Sequence, residues 1–282
     1  MLTTSQGVRP LGPPDLADFL ALTARDPVVN VFAEHRARTT RLDQRWLGGE
    51  VWGRFVGGEL VAACHMGANL VPVCADETDA RAFAERALEG RRTSSTIVGP
   101  DAAVRAFWEV VAPEWGEPRE ARWDQPHLVL DTWSEEVPHD PGVRRTTPAD
   151  FEAVYPACVA MYTEEVGVSP TDGGGDDLYR ARVRQLVARG WSFARFEEGR
   201  VVFKAEVACA TPYAAQVQGV WVPPDRRGEG LATRGMAAVA RLVLEDVAPV
   251  VSLYVNDWNT SARAAYAAVG FRETARFATI MF

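Results

Sequence analysis

A hexapeptide with small residues at alternate positions constrains the fold more than any other feature of the chain: Arg227-Gly228-Glu229-Gly230-Leu231-Ala232. An apolar, strand-like run precedes it over 216–222, and a helix-like run follows it to about residue 247. Small residues let the backbone approach a bulky anion. A helix that begins here also directs unpaired N–H groups and the positive end of its dipole toward that anion. The position of the hexapeptide therefore predicts a strand, a phosphate-binding turn (residues 227–233, here called the cradle) and a helix in succession.

The composition excludes several classes of protein. The chain has 282 residues, 47% of them hydrophobic and 24% charged, which is typical of a globular protein with two modest domains or one large domain. Its formal net charge is −8 and no run of Lys or Arg exceeds two residues, so we expect no nucleic-acid partner. The sequence does not open on a basic segment followed by an apolar core, and no apolar run reaches about 18 residues. We therefore expect a cytoplasmic protein with no membrane partner, either a monomer or a homodimer.

The positions of cysteine and histidine argue against a metal site. None of the four cysteines and four histidines has the short paired spacing of a zinc site. We expect buried, reduced thiols and no metal cofactor.

A segment rich in Pro, acidic and turn residues divides the chain into two stretches of similar length. This segment covers residues 131–148 and includes three prolines. Such composition is typical of a linker between domains. The sequence therefore predicts an N-terminal domain over 1–135, a linker and first strand over 136–147, and a C-terminal domain over 148–282.

In the second half, a meander of strands precedes an alternation of helices and strands. A helix start at Thr147-Pro148 leads into apolar residues at helical spacing, and Gly173-Gly174-Gly175 predicts a mobile loop before the next helix. The predicted strands are 191–196, 200–210, 216–222, 250–255 and a closing pair within 271–282. The predicted helices are 151–165, 178–188, 230–247 and 260–269, the last of which ends at Gly270.

The first half follows a similar order. The predicted helices are 14–24, 31–40, 77–88 and 101–111, and the predicted strands are 51–55, 60–66, 95–98 and a closing pair within 119–130. This parallel favours a diverged internal duplication. Because the first half lacks Arg-x-x-Gly-x-Ala, we predict no phosphate site there.

A second series of residues follows the cradle at fixed spacing: Asn256, Asn259, Ala262, Tyr266 and Gly270-Phe271. With the strand, the cradle and the helix, this series resembles the GNAT superfamily of acyl-CoA-dependent N-acetyltransferases over about residues 143–282. The whole chain is similar to tandem-type members with a degenerate N-terminal GNAT-like domain. The resemblance implies an α+β fold of two GNAT-like domains, each with a mixed, mostly antiparallel sheet flanked by helices. It also implies acetyl-CoA as cosubstrate and, as acceptor, an amine of a small molecule, peptide or protein.

The resemblance assigns most of the donor site to backbone groups. Cradle amides would hold the pyrophosphate of acetyl-CoA, with the Arg227 charge and the Thr233 hydroxyl as further donors, and backbone groups of 220–222 would bind the pantetheine arm. For Asn259, helix capping is the alternative role. The predicted cofactor-binding residues are Val220, Trp221, Val222, Arg227, Gly228, Gly230, Leu231, Ala232, Thr233, Asn256, Asn259, Ala262 and Tyr266.

Two residues are candidates for catalysis. Tyr266 matches the tyrosine that protonates the departing CoA thiolate in many relatives, and a phenol can donate a proton while partly buried; a packed aromatic side chain is the alternative. Many relatives also use a carboxylate on the fourth strand as a base, whereas this chain has Gln216 and Gln218 there, which cannot act as bases. Glu206 on the preceding strand is therefore the candidate base, and an ion pair with Lys204 on the same strand face is the alternative.

The end of the first helix of the second half is the predicted acceptor side. Tyr162, Glu164 and Glu165 lie there, beside the glycine-rich loop. Either carboxylate could attract a cationic amine, although adjacent acidic residues at a helix end are usually solvated and oppose the helix dipole. Tyr162 is a candidate wall of the acceptor pocket.

Two other functions compete with acetyl transfer. Gln216 and Gln218 favour a catalytically inactive CoA-binding sensor or interaction module as the alternative. A nucleotide-binding dehydrogenase is disfavoured, because no Gly-x-Gly-x-x-Gly follows an early strand and a meander precedes the cradle.

Overall fold

The structure is a computed structural model that describes residues 7–282, and it divides into two compact units. The first unit contains residues up to Leu128 together with Tyr254–Trp258 and Glu273–Phe282. The second contains Val129–Leu253 and Asn259–Arg272. The predicted domain limits, 1–135 and 148–282, stay a prediction. Two segments of the predicted C-terminal domain, Tyr254–Trp258 and Glu273–Phe282, belong to the first compact unit.

The described residues form strands and α-helices in alternating groups. The strands are β1 (Val8–Pro10), β2 (Gly49–Val56), β3 (Glu59–Gly67), β4 (Asn69–Val73), β5 (Thr96–Pro100), β6 (Glu120–Leu130), β7 (Arg144–Arg145), β8 (Ser192–Glu197), β9 (Arg200–Ala210), β10 (Ala215–Trp221), β11 (Val251–Tyr254) and β12 (Arg272–Met281). The α-helices are α1 (Leu16–Thr23), α2 (Val31–Thr40), α3 (Gln44–Leu47), α4 (Glu77–Ala87), α5 (Asp101–Trp115), α6 (Phe151–Val166), α7 (Asp176–Ala188), α8 (Leu231–Asp246) and α9 (Thr260–Val269). No helix within 7–282 is both long and apolar enough to cross a membrane.

The first unit is built on a mixed sheet with the strand order β1-β2-β3-β4-β5-β12-β6. Neighbouring strands from β1 to β4 are antiparallel, β4 and β5 are parallel, and β5 and β12 are antiparallel. The parallel pair needs a crossover, and α4 supplies it. A buried cluster joins α4 and α5 to the sheet through Phe83, Phe107 and Ile97, all fully buried.

The second unit has the strand order β7-β8-β9-β10-β11. Strands β7 to β10 are antiparallel to their neighbours, and β10 and β11 are parallel, with α8 as the crossover. Side chains alternate along β9, so its two faces differ. Phe203 packs against Gly235 of α8, whereas Lys204 and Glu206 lie on the face that carries α6. The face of β9 toward α8 is therefore apolar at this point, and the face toward α6 carries a charged pair.

The order of elements is the same in the two halves, apart from the short helix α3. Each half runs strand, two helices, three strands, helix, strand, helix, strand. This repetition confirms the predicted fold class of two GNAT-like α+β domains, each with a mixed, mostly antiparallel sheet. It is also what an internal duplication would leave behind.

The closing strands differ from the prediction. We predicted a strand pair in 119–130 and another in 271–282, and both pairs are wrong, because each segment forms one strand, β6 and β12. The physical reason is long-range pairing. Strand β12 lies between β5 and β6, with Ala278 opposite Gly99 and Ile280 opposite Ile97, so neither segment folds back on itself.

Two strands, β1 and β4, had no counterpart in the prediction. Strand β4 contains Pro72, which lacks the N–H of a regular ladder and therefore weakens the strand signal. The boundaries of the other long elements agree within a few residues, and the predicted loop at 173–175 lies in a short 3-10 turn, Asp172–Gly174, before α7.

Buried His127 makes the stability of the chain depend on pH. Its ring stacks on Phe277 at 4.8 Å between centroids, and Nδ1 lies 3.2 Å from the Thr274 hydroxyl. Burial lowers the pKa of His127 to about 4, although the charge of Asp26 acts in the opposite direction. The unfolded chain binds this proton near pH 6.5 and the folded chain only near pH 4. We therefore expect His127 to contribute about 2 kcal/mol of stability at pH 7 that is lost by pH 4.5.

Urea unfolding at the two pH values measures this effect. In His127→Gln the additional loss between pH 7 and pH 4.5 should disappear, and an equal loss in both proteins would contradict the assignment.

Candidate functional site

The cradle forms an open backbone turn at the start of α8. Gly228 and Gly230 have φ values of +85° and +75°, in the left-handed region that glycine adopts without strain. Gly230 is the N-cap of α8 and contributes no side-chain cap. At Gly228 a Cβ would meet nothing within 4 Å, whereas at Gly230 it would lie 2.9 Å from Arg234 Nη1, so the turn is open at Gly228 and has an arginine side chain beside Gly230. The predicted glycine-containing turn at the start of a helix is therefore present, and its role as a phosphate site stays a prediction.

The amides of the cradle make no hydrogen bond within the described part of the protein. Among the hydrogen bonds of residues 7–282, none has the backbone N–H of Gly228, Gly230, Leu231, Ala232 or Thr233 as its donor. The first N–H groups of a helix have no partner within the helix, and the dipole of the 16-residue α8 adds a partial positive charge. Together these groups fit an anion such as a pyrophosphate.

The strand that precedes the cradle carries a bulge. Its register with β9 shifts between Gln218, which lies opposite Glu206, and Trp221, which lies opposite Lys204. Gly219 within this bulge has a φ of +61°. An isolated glycine in a strand pattern is a known signal of a bulge, so this feature could have been found from the sequence, and we missed it.

Strands β10 and β11 pair over a short stretch only. In the parallel ladder of the second unit, Ala215 lies opposite Val251 and Gln216 opposite Ser252, and no further pair of these two strands is recorded within 7–282. The rest of β10 runs on to Trp221. Val220 and Trp221 are half-buried and Val222 is buried. This is the stretch whose backbone groups we predicted to bind the pantetheine arm.

The predicted acceptor helix contacts the cradle. Arg227 Nη2 lies 2.7 Å from both carboxylate oxygens of Glu164, and Trp221 Nε1 donates to Glu164 Oε2 at 3.1 Å. Arg227 Nε also donates to the carbonyl of Val222 at 3.1 Å. Burial would raise the pKa of Glu164, but the Arg227 and Trp221 hydrogen bonds outweigh it and hold the pKa below its usual value. The sequence pattern contained no signal for this contact, since its members lie on three different elements.

Tyr266 lies buried on α9. Its ring meets the edge of the Phe271 ring, with 5.9 Å between centroids. Burial raises the pKa of Tyr266 well above its usual value, and the charge of Glu165 raises it further. The phenol therefore keeps its proton at neutral pH and can act as a donor.

Glu206 has the ion pair that was the alternative to a catalytic role. Lys204 Nζ lies 3.0 Å from Glu206 Oε2, and Gln218 Nε2 donates to Glu206 Oε1 at 2.8 Å. Lys204 also interacts with the thiol of Cys158 on α6. Burial would raise the pKa of Glu206, but the Lys204 charge and the Gln218 hydrogen bond lower it below its usual value. A buried carboxylate with both oxygens bound is a weak base, so this geometry favours the ion-pair alternative.

The two predicted asparagines both have structural partners. Asn259 Oδ1 accepts the amide of Ala262 at 3.2 Å and so caps α9, which is the alternative we considered. Asn256 belongs to the first unit and accepts from Gln125 Nε2 at 2.8 Å, while Gln125 Oε1 accepts from the Thr279 hydroxyl at 2.6 Å. Neither contact tests the predicted cofactor-binding role of Asn256, Asn259 or Ala262, which stays a prediction.

The remaining acceptor candidates lie at the end of α6. The Tyr162 ring meets the Tyr179 ring edge-on at 5.4 Å, and the Tyr179 hydroxyl donates to the carbonyl of Cys158 at 3.0 Å. Glu165 is exposed, one residue before the last residue of α6. These contacts hold α7 against α6 and leave Glu165 on the surface.

The corresponding helix of the first unit is closed to an anion. At the start of α4, the Asp76 carboxylate accepts the amide of Asp79 at 2.8 Å, and the Asp79 carboxylate accepts the amide of Asp76 at 3.2 Å. These carboxylates already neutralise the positive end of the helix dipole. No group of three or more His, Cys, Asp and Glu side chains suited to a metal occurs within 7–282.

Two parts of the sequence match protein families. Residues 183–271 match the acetyltransferase (GNAT) family, and residues 49–154 match a domain family of unknown function, DUF4081. The match assigns the GNAT acetyltransferase domain to residues 183–271. No curated protein matches the sequence.

Solved structures share the fold over nearly the whole chain. A GNAT-family acetyltransferase from Colwellia psychrerythraea has a TM-score of 0.60 at 12% identity and covers 98% of this chain and 99% of its own. A GCN5-related N-acetyltransferase from Sphaerobacter thermophilus has a TM-score of 0.60 at 16% identity, with 99% and 96% coverage. A tandem GNAT protein from the clavulanic acid biosynthesis pathway has a TM-score of 0.56 at 19% identity, with 96% and 97% coverage. At sequence identities of 12–19%, these comparisons show a shared fold and nothing further.

Proposed function

We propose that the chain is an N-acetyltransferase that binds acetyl-CoA at the cradle and transfers the acetyl group to an amine by direct attack. The observation that carries this proposal is the group of backbone N–H donors at the start of α8 that have no acceptor within residues 7–282. In the GNAT pattern, the pyrophosphate of acetyl-CoA binds at this position. Cradle amides would donate to the pyrophosphate, and the backbone of 220–222 would hold the pantetheine arm. A backbone N–H of β10 near the bulge would polarise the thioester carbonyl.

The negative charge at the end of α6 indicates the kind of acceptor. Glu165 places a negative charge at the exposed end of α6, and Tyr162 provides an aromatic wall beside it. A carboxylate attracts a cationic amine before that amine loses its proton. We therefore propose an amine of a small molecule, peptide or protein as acceptor.

Tyr266→Phe tests the proposed proton donor. We expect acetyl-CoA affinity to stay within about two-fold, because the ring and its contact with Phe271 remain, whereas turnover should fall about 100-fold when the hydroxyl is lost. Because burial raises the pKa of Tyr266, the loss should be the same from pH 7 to pH 9. Thiol release from acetyl-CoA, measured over a panel of amines that includes peptide N-termini, gives the rate.

Tyr213→Phe removes a hydroxyl from an exposed tyrosine and serves as the control. A Tyr266→Phe variant with unchanged turnover would remove this residue from the mechanism. A variant that loses affinity as much as rate would give Tyr266 a binding role instead.

The sensor alternative has one specific observation in its favour. Glu206 is engaged by Lys204 and Gln218, so the second unit offers no free carboxylate on β9 as a base. The two functions predict different results in the same assay. Thiol release with any amine supports the transferase, whereas CoA binding without release over the whole panel supports the sensor.

A further inference from the structure

The arginine of the cradle already has an anionic partner. Glu164 contacts Arg227 Nη2 with both carboxylate oxygens at 2.7 Å and is held in place by the indole N–H of Trp221. A phosphate at the start of α8 would approach the same guanidinium, because Arg227 directly precedes the two glycines of the turn. The carboxylate therefore occupies a position that an anionic ligand would compete for.

The exposure of the pair makes an exchange of partners feasible. The side chains of Arg227 and Glu164 are 47% and 49% exposed. Ion pairs with this exposure contribute little net stability, since water and salt screen the attraction. A phosphate oxygen is a stronger partner for a guanidinium than a solvated carboxylate, and the helix dipole favours the phosphate further.

The position of Glu164 also opposes an anion directly. Glu164 lies in the last turn of α6, where the helix dipole is negative, and a second carboxylate, Glu165, follows it. The last turn of α6 contains no Lys or Arg. The negative end of α6 therefore faces the one charged side chain, Arg227, that we assign to the pyrophosphate.

We propose that Glu164 competes with the phosphates of acetyl-CoA for Arg227 and so sets the donor affinity below the value that the cradle alone would give. Glu164 is then a residue that tunes the affinity of the donor site. In the free protein it neutralises Arg227, and on donor binding Arg227 changes partner. This inference rests on the proposed binding of acetyl-CoA at the cradle.

Glu164→Gln tests the competition. Glutamine keeps the size of the side chain and one oxygen that can accept from Trp221 and Arg227; it removes the charge and replaces the second oxygen with an amino group. We expect the dissociation constant for CoA, measured by calorimetry at low salt, to fall about two- to five-fold. The gain should shrink in about 0.5 M salt, because the charges involved are exposed.

A double-mutant cycle isolates the pair. In an Arg227→Gln background, Glu164→Gln should change CoA affinity by less than about 1.5-fold, since the competed charge is gone. The matched control is Glu245→Gln, which removes a carboxylate of equal exposure, 49%, from its pair with Arg241 on α8. This control should leave CoA affinity unchanged.

Several results would overturn the inference. These are unchanged or weaker CoA binding by Glu164→Gln, an equal gain in the Arg227→Gln background, or an equal gain in the Glu245→Gln control. Thermal unfolding confirms that each variant is folded. Failure of the unaltered protein to bind CoA would instead reject the proposed function, so the two failures are distinguishable.

Discussion

In the Arg227→Glu variant, acetyl-CoA is expected to bind at least about ten-fold more weakly than to the unaltered protein. The change reverses the charge that we propose to face the pyrophosphate. The introduced carboxylate and that of Glu164 then both lie at the mouth of the cradle. Charge-assisted hydrogen bonds contribute about 1.5–3 kcal/mol each, which corresponds to roughly 10- to 150-fold in affinity. Calorimetric titration with acetyl-CoA measures the effect.

Arg241→Glu is the matched control. Arg241 is an arginine of α8 that makes an ion pair with Glu245 at 2.8 Å, so its reversal changes the net charge of the protein by the same amount. We expect little change in acetyl-CoA affinity. Equal losses in the two variants would indicate a general charge effect, and unchanged affinity in Arg227→Glu would reject the cradle assignment.

The second large effect concerns stability. Ile280→Ala is expected to destabilise the chain by about 2–4 kcal/mol, because Ile280 is fully buried and the truncation leaves a cavity. Although Ile280 lies near the end of the sequence, it packs in the cluster of α4, α5 and β5 in the first unit. Urea unfolding followed by tryptophan fluorescence measures the loss, since Trp108, Trp115 and Trp123 pack against this cluster.

Glu273→Ala provides the control on the same strand. Glu273 is exposed at the start of β12, where its partner is Arg276. We expect a change within about 0.5 kcal/mol. A loss below about 1 kcal/mol in Ile280→Ala would argue against the tight placement of β12 between β5 and β6.

The parts of the fold that sequence reasoning predicted are those with local signals. Strand β10, the cradle, helix α8 and helix α9 each follow from side-chain periodicity, from glycines at turn positions or from a capping residue such as Asn259. These signals depend on residues within one or two turns of each other. For this reason the elements on which the predicted donor site lies could be predicted from the sequence, while the donor site itself stays a prediction.

The missed features depend on contacts between distant residues. The pairing of β12 with β5 and β6 leaves no pattern within 271–282, because any strand of suitable length and polarity could fill that position. The same holds for Glu164 and Arg227, which meet only once α6 is packed on the sheet. The Lys204–Glu206 pair was the exception, because alternation along one strand was enough to suggest it.

The placement of β12 has a consequence for the order in which the protein can be made. Domains usually fold in the order in which the ribosome produces them, the N-terminal one first. Here the sheet of the first unit needs residues 273–281, and these are translated only after the rest of the second half. Until then β5 and β6 lack the strand between them, so the nascent first unit exposes unpaired strand edges during synthesis. Such edges pair readily with other chains, and we expect this protein to depend on chaperones until translation of β12 is complete.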